Sequence, residues 1–314
     1  MSRYLVTGGA GFIGCNLTRF LLREGHDVVV LDNFATGKRE NLADVADRIE
    51  LITGDVRRRD MVDRAVAGCA AVFHEAALGS VPRSVEDPVT SHDVNVNGTV
   101  TVLEAARAAG VKRVIYAASS SAYGDQPESP KHEGMVPRPI SPYAAGKLAG
   151  EVYMQGYAAV YGMETLSLRY FNVFGPFQDP SGPYAAVIPA FISRILHRER
   201  PVVYGDGEQS RDFCYIENVC RANWLAANAP SDVCDGRAVN VACHDSTTLN
   251  EILEQLGRLL EMPVRPEYAE ARAGDVRHSL ADISRARDIL GYQPAAYFDE
   301  GLTAAIDWYR ANLG

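Results

Sequence analysis

The chain has 314 residues, a formal net charge of −9 and a hydrophobic fraction ordinary for a soluble globular protein. That length permits one large domain or two small ones. The acidic balance speaks against nucleic acid or an anionic membrane as the main partner, and no apolar run reaches the ~18 residues of a membrane span. Met1 to Val6 leads straight into a strand pattern without a signal-peptide layout. Cys15, Cys69, Cys214, Cys220, Cys234 and Cys243 are scattered, with no C-x-x-C pair. They form neither a disulfide framework nor a zinc site, and read as reduced thiols in a cytoplasm.

Leu5-Val6 opens an apolar strand that runs into a glycine-rich loop, and an amphipathic helix follows to about Leu22. Val28 to Leu31 is continuously apolar, as a strand buried on both faces requires, and ends at Asp32. Ile49–Ile52 and Ala71–Phe73 read as the third and fourth strands, closed by Gly54-Asp55 and by His74-Glu75-Ala76-Ala77. A helix is expected from Asp93 to Ala109. The fifth strand, Val114–Ala118, then ends in three serines, Ser119 to Ser121. A helix from Pro142 to Tyr161 and a sixth strand, Thr165–Leu168, complete the alternation. Such alternation predicts a doubly wound parallel sheet of Rossmann type, with ligands bound outside the carboxyl ends of the strands. Gly8, Asp32, Asp55, Ala76, Ser119 and Asn172 all fall just past strand ends.

After Phe171 the segments become shorter and richer in Pro, Gly and Tyr. Helices are expected at Glu217–Ala229, at Leu249–Leu260 behind a Thr248-x-x-Glu251 capping box, at Ile283–Leu290 and at Gly301–Leu313. The expected division is a dinucleotide-binding domain over 1–171 and a smaller α/β substrate domain over 172–314. A strand near 239–242 is expected to return to the first sheet. Gly124 to Ile140 is the longest expected loop.

The residues that carry chemistry cluster in the first half. Gly8, Gly11 and Gly14 stand at G-x-x-G-x-x-G spacing between a strand and a helix. Glycines there permit a tight turn, and the helix N-terminus offers amides to a pyrophosphate. Asp32, about 20 residues on, suits a ribose 2′-hydroxyl and would repel a 2′-phosphate, which favours NAD over NADP; Lys38 and Arg39 speak the other way. Asp55 suits the adenine end. Ser141 and Pro142 suit an N-cap and a first helical turn. Tyr143 and Lys147 then lie one turn apart on one face. A phenol titrates near 10 when unperturbed, and a nearby ammonium lowers that value. The pair is therefore expected to work as a proton-transfer group near neutrality. Ser119 is expected level with Tyr143, where its hydroxyl can bond the same substrate oxygen. His74 has no partner at metal-ligand spacing and reads as a packed histidine. Arg211 and Arg272 are either surface charges or a clamp on a diphosphate, for which a guanidinium fork is suited.

Together Thr7-Gly8-x-x-Gly11-x-x-Gly14, Asp32-Asn33, Gly54-Asp55, Asn95-Val96-Asn97-Gly98-Thr99, Ser119-Ser120-Ser121, Tyr143-x-x-x-Lys147 and Arg169-Tyr170-Phe171-Asn172 resemble the extended short-chain dehydrogenase/reductase family over essentially the whole chain. Within it the chain is most similar to nucleotide-sugar 4-epimerases. The stretches from Ala76 to Ser84 and from Ser210 to Asn218 resemble the subgroup acting on UDP-N-acetylglucosamine. The resemblance implies an NAD-dependent isomerase. Tyr143 would take the proton from the sugar 4-hydroxyl, Lys147 would hold the NAD ribose, and Ser119 would bond the reacting oxygen. NAD would also meet Phe12, Ile13, Asn33, Thr36, Gly37 and Val56. Ala76, Ala77, Asn95 and Tyr170 complete that implied set. The UDP-sugar would meet Ser80, Ser121, Asn172, Ala186, Val187 and Val203, then Tyr204, Arg211, Arg272, Asp275 and Ser279. Ser279 occupies a place where a bulky tyrosine restricts related enzymes to unacetylated sugars, so an N-acetyl group should fit.

Two departures from the family pattern stand out. Gly79 replaces a lysine common in UDP-glucose epimerases, a contact either missing or taken over by Ser80. Ser120-Ser121 replace the Asp-Glu pair of the dehydratases, which argues against water elimination. A homodimer through the helices 93–109 and 143–161 is implied by analogy.

Overall fold

The computed structural model describes residues 1–180, 186–270 and 277–313. Seven parallel strands form one sheet: β1 (Arg3–Thr7), β2 (Asp27–Asp32), β3 (Ile49–Thr53), β4 (Ala71–His74), β5 (Arg113–Ser119), β6 (Glu164–Tyr170) and, far along the chain, β11 (Asp235–Val241). Their spatial order is β11-β6-β5-β4-β1-β2-β3. The direction of winding reverses between β1 and β4, and that reversal opens a crevice at the carboxyl ends of both strands.

Alternate residues of these strands feed two separate cores. Tyr4, Val6, Val28, Val30 and Phe73 pack with Leu17 and Leu21 of helix α1 (Phe12–Arg23), while Leu5, Val29, Leu31 and Val72 pack with Val62 of α2 (Arg59–Val66). Both faces being covered, the strands need the continuous apolar runs seen in the sequence. Short helices α3 (Val81–Glu86) and α4 (Pro88–His92) follow β4. A wider π-turn (Asp93–Asn97) then joins α4 to α5 (Gly98–Ala108). The expected helix 93–109 therefore begins earlier and is interrupted at its first turn. Asn95 lies in that turn and sends its side chain out to the backbone of Leu78.

Helix α6 (Pro142–Tyr161) carries the central pair. The Ser141 hydroxyl accepts from the amide of Ala144 at 3.2 Å, Pro142 opens the first turn, and Gly162 ends the helix in the left-handed region. Small residues let α6 lie close on the sheet. A Cβ on Gly150 would stand 2.3 Å from the Tyr116 hydroxyl of β5.

Beyond β6 come the short strands β7 (Val173–Phe174), β8 (Val202–Tyr204), β9 (Ser210–Arg211) and β10 (Cys214–Tyr215), then β12 (Thr247–Thr248), β13 (Glu267–Ala269) and β14 (His278–Ser279). Helices α7 (Val187–Leu196), α9 (Leu249–Leu260) and α11 (Phe298–Leu313) pack with Phe174, Val203 and Phe213 into a third core. Helices α8 (Ile216–Ala227) and α10 (Ser284–Leu290) instead complete the first core. The capping box at Thr248 and Glu251 is formed. Helix α7 is absent from the sequence reading, because Pro189 and the short apolar run hid its Ile188-Phe191-Ile192-Ile195 stripe. All six cysteines are free and buried, and among the described residues no helix is long and apolar enough to cross a membrane.

Candidate active site

Two adjoining cavities run along the carboxyl ends of the strands. One, of about 340 Å³, lies over β2 and β3, and the other, of about 920 Å³, runs from the glycine loop past α6 towards α11. Gly8, at φ 69°, turns the chain where a Cβ would meet the backbone of Ala76 at 2.7 Å. A Cβ on Gly14 would stand 2.2 Å from the Gly8 carbonyl. The loop thus closes tightly on the first turn of α1, whose N-cap, Gly11, provides no side-chain cap. Gly11, Phe12, Ile13 and Gly14 line the larger cavity. An uncapped helix start facing a cleft is an anion seat, so the residues present fit the pyrophosphate of a dinucleotide.

Asp32 closes the other end. Its carboxylate accepts from the amides of Ala10 at 2.9 Å and Phe34 at 2.7 Å and still faces the smaller cavity. Each carboxylate oxygen has a further lone pair to offer a hydroxyl. Asn33, Thr36, Asp55, Val56, Ala76 and Ala77 line the same space. Asp55 is held by Asn33 and by the Arg57 guanidinium at 2.7 Å, and Arg57 first among them keeps its carboxyl well below the usual carboxylate range. Gly37 does not line either cavity; it packs against Ala10, beneath the glycine loop.

Tyr143 and Lys147 both border the larger cavity, as do Ala117, Ala118 and Tyr170. The Lys147 ammonium donates to the Ala117 carbonyl at 2.8 Å. Burial pulls it down to about 8, against the opposing attraction of Glu75 and Glu151. Burial also raises the Tyr143 phenol above its ordinary value, and only the Ser119 hydroxyl works the other way. The lysine therefore does not produce the expected lowering in the protein alone: its charge is turned to the end of β5. Ser119, the last residue of β5, stands level with Tyr170 of β6, and its hydroxyl accepts from the amide and hydroxyl of Ser121.

Several expected site residues have other duties. The Asn95 side chain braces the loop after β4, its amide oxygen accepting from the amide of Leu78, a residue that lines the smaller cavity, at 2.8 Å. Ser80 borders the larger cavity, but its hydroxyl caps α3 by accepting from the Arg83 amide. Gly79 borders that cavity too, with open space where a Cβ would be. Val203 is fully buried in the third core, so its side chain cannot reach a ligand. Its neighbour Tyr204 is exposed. Ala186 borders the larger cavity as the N-cap of α7, and Val187 begins that helix. Asn172, at φ 29°, turns the chain out of the sheet and donates to the Asp212 carbonyl at 3.0 Å. Asn is among the side chains that tolerate such a backbone. Arg211 and Ser279 are cross-strand partners in β9 and β14. Arg272 and Asp275 lie outside the described residues. His74 is buried between the hydroxyls of Thr7 (2.7 Å) and Thr99 (3.0 Å), and burial keeps it neutral, down at about 3.

Sequence reasoning passed over Glu75. It borders both cavities, its Oε1 accepts from the Tyr170 hydroxyl at 2.8 Å, and its Oε2 is buried with no hydrogen-bond partner among the described residues. The available signal was a carboxyl one residue past an apolar strand end.

Comparison with known proteins agrees with this geometry. A family model described as "NAD dependent epimerase/dehydratase family" matches residues 4–242. The UDP-glucose 4-epimerase of Mycolicibacterium smegmatis is 39% identical over 98% of both chains. A dTDP-glucose 4,6-dehydratase of the same organism is 36% identical over 99% of this chain and 94% of its own. Among solved structures, the UDP-N-acetylglucosamine 4-epimerase of Methanobrevibacter ruminantium superposes with a TM-score of 0.93 at 39% identity, over 99% of this chain and 98% of that one. A glycine loop seated for a pyrophosphate, a Tyr-x-x-x-Lys helix beside it and end-to-end likeness to these enzymes have one common source: the chain belongs to the NAD-dependent epimerase/dehydratase family of extended short-chain dehydrogenases/reductases.

Proposed function

We propose that the protein interconverts the C4 epimers of a UDP-hexose. The preferred pair is UDP-N-acetylglucosamine and its galacto epimer, with UDP-glucose as a further substrate. The observation that carries this reading is the pair of Tyr143 and Lys147 at the cleft, with the Ser119 hydroxyl bonded to Tyr143 and followed by Ser120 and Ser121 rather than by carboxylates. Tyr143, as phenolate, removes the proton of the sugar 4-hydroxyl and later returns it. Ser119 bonds the same oxygen and holds it in line. Lys147, anchored on the Ala117 carbonyl, holds the cofactor ribose. NAD, held by the glycine loop and Lys147, would supply the hydride acceptor for C4 and, once reduced, the hydride donor back to that carbon. Arg211 pairs with the diphosphate and keeps UDP fixed while the sugar turns, with Arg272 as its expected partner. Ser279, opposite Arg211, leaves room for an N-acetyl group where a larger side chain would clash.

Dehydration is the second reading, favoured by the 36%-identical relative. It needs an acid and a base beyond the tyrosine, and Ser120 and Ser121 supply neither. Exposed Val152, Tyr153, Val160 and Tyr161 on α6, with Val81, Val85 and Val89 on α3 and α4, support a homodimer across these helices. Light scattering of the purified protein checks that point.

The test of the reaction is turnover without added NAD, with the epimers resolved by proton NMR. UDP-N-acetylglucosamine and UDP-glucose are supplied separately. Conversion of both, faster for the acetylated sugar, is expected. Conversion of UDP-glucose alone overturns the reading of Ser279. Release of a 4-keto-6-deoxy sugar establishes the dehydratase instead.

A further inference from the structure

We propose that Glu75 sets the charge preference of the cofactor site: its carboxylate faces the redox-active end of the bound nucleotide and favours the cationic NAD⁺ over the neutral NADH. The inference rests on the cofactor and not on the identity of the sugar. Glu75 stands one residue past β4, at the β1–β4 reversal. Two points fix where the nucleotide runs. Its phosphates belong at the Gly8–Gly14 loop, and its reacting ring must meet the carbon whose hydroxyl Tyr143 handles. The wall of the larger cavity, which holds both points, includes Glu75, Ala117, Ala118 and Tyr170. Glu75 brings the only carboxyl among those four.

Its carboxyl is fixed and incompletely satisfied. Oε1 takes the Tyr170 hydroxyl, which in turn accepts from Asn223 at 2.8 Å. Oε2 is sealed from solvent and has no partner among the described residues. A buried acceptor left open in this way is costly unless something fills it. A positive charge in the adjoining cavity offsets that cost through space. Burial raises the Glu75 carboxyl to about 7, with the Tyr170 hydroxyl and Lys147 pulling the other way. A cation alongside pulls it down further, so the group is ionised when NAD⁺ is present. At short range and low dielectric, a fixed carboxylate separates a cation from a neutral ring by a factor of ten or more. An enzyme that must return every hydride gains from this bias, because the reduced cofactor is held less favourably than the oxidised one.

The measurement is the ratio of the dissociation constants for NADH and NAD⁺, with no sugar present. Protein is equilibrated with mixtures of the two, and the bound fraction of each is read from NADH fluorescence after removal of free nucleotide. Glu75→Gln is expected to lower the preference for NAD⁺ by roughly ten-fold. Glu75→Asp, which keeps the charge, should stay within about three-fold of the unaltered protein. An unchanged ratio in Glu75→Gln overturns the proposal, as does an equal loss in both variants. If Glu75→Gln does not fold, the unaltered protein is titrated between pH 6 and 7. The groups facing Glu75 there are Tyr170 from β6 and Cys220 from α8, both raised well above their ordinary values by burial, and Lys147 from α6, which titrates at about 8. His74 beside it is neutral. Among these groups Glu75 is thus the one that ionises in that window; Asp212, also raised to about 7 by burial, is bonded to the amides of Cys243 and Ala281 and not to Glu75. The NAD⁺ preference should rise with pH, and a flat ratio overturns the proposal. Because no sugar is used, the outcome is independent of whether epimerisation is found.

Discussion

Tyr143 and Lys147 stand one turn apart, yet in the protein without ligand they do not form the tuned pair that their spacing invites. Burial costs the phenolate its hydration, and the ammonium that should offset this is drawn to the Ala117 carbonyl. The missing positive charge must arrive with NAD⁺. In the cofactor-free protein the Tyr143 phenol should therefore titrate above the ordinary value of about 10, and NAD⁺ should bring it down. Ultraviolet difference spectra of the tyrosinate, compared with Tyr143→Phe, measure both states. A normal value without cofactor would show that Lys147 acts unaided. Tyr143→Phe itself should lose about 10²- to 10⁴-fold in kcat while keeping NAD binding, because only the proton-transfer group is removed.

Helix α6 delivers that tyrosine, so its seat on the sheet matters as much as its cap. Gly150 lets the helix approach Tyr116, and a methyl group there would enter the space of the phenol oxygen at 2.3 Å. Gly150→Ala should lift the helix, lower Tm and reduce kcat through Lys147 and Tyr143, one and two turns away. Retention of full activity would mean that Tyr116 simply swings aside. A second tie is the buried pair of Glu151 on α6 and Arg169 on β6, bonded at 2.9 and 2.7 Å. Arg169 also lies over the Tyr123 ring, 4.7 Å from its centre. Removing one partner of such a pair strands a buried charge and costs roughly 3–5 kcal/mol. Glu151→Gln should show that loss in denaturant unfolding. At this scale the sequence was readable wherever an element announced itself. Ser141-Pro142 starts α6, Thr248-x-x-Glu251 starts α9, and the apolar runs mark the buried strands. It was silent where tertiary contacts decide: the π-turn at Asn95 follows from a bond to Leu78, and α7 from packing into the third core.

For the molecule as a whole, the sequence placed ligands at the strand ends, because a doubly wound sheet has one crevice and the glycine loop marks it. It could not show which polar residues that crevice leaves unsatisfied. Asn95 bonds the backbone of Leu78 and Ser80 caps a helix while bordering the cavity, whereas Glu75 looked like part of a strand end and carries, with Gln178, a buried acceptor left open at the larger cavity. That difference has a thermodynamic signature. The folded protein holds the Glu75 proton up to about pH 7, against about 4.5 for an ordinary glutamate. Its favourable contribution is thus fully present below pH 4.5 and is lost as pH rises through 7. Glu75→Gln, which cannot ionise, should match the parent in Tm near pH 4.5. It should exceed it by several degrees above pH 7, since a shift from 4.5 to about 7 corresponds to on the order of 3 kcal/mol. Saturating NAD⁺ should shrink or reverse that gain, since the parent's carboxylate then has a cation to face. A gain that is equal at both pH values would mean that Glu75 is neutral throughout, and its charge would have no part in how this fold holds NAD⁺.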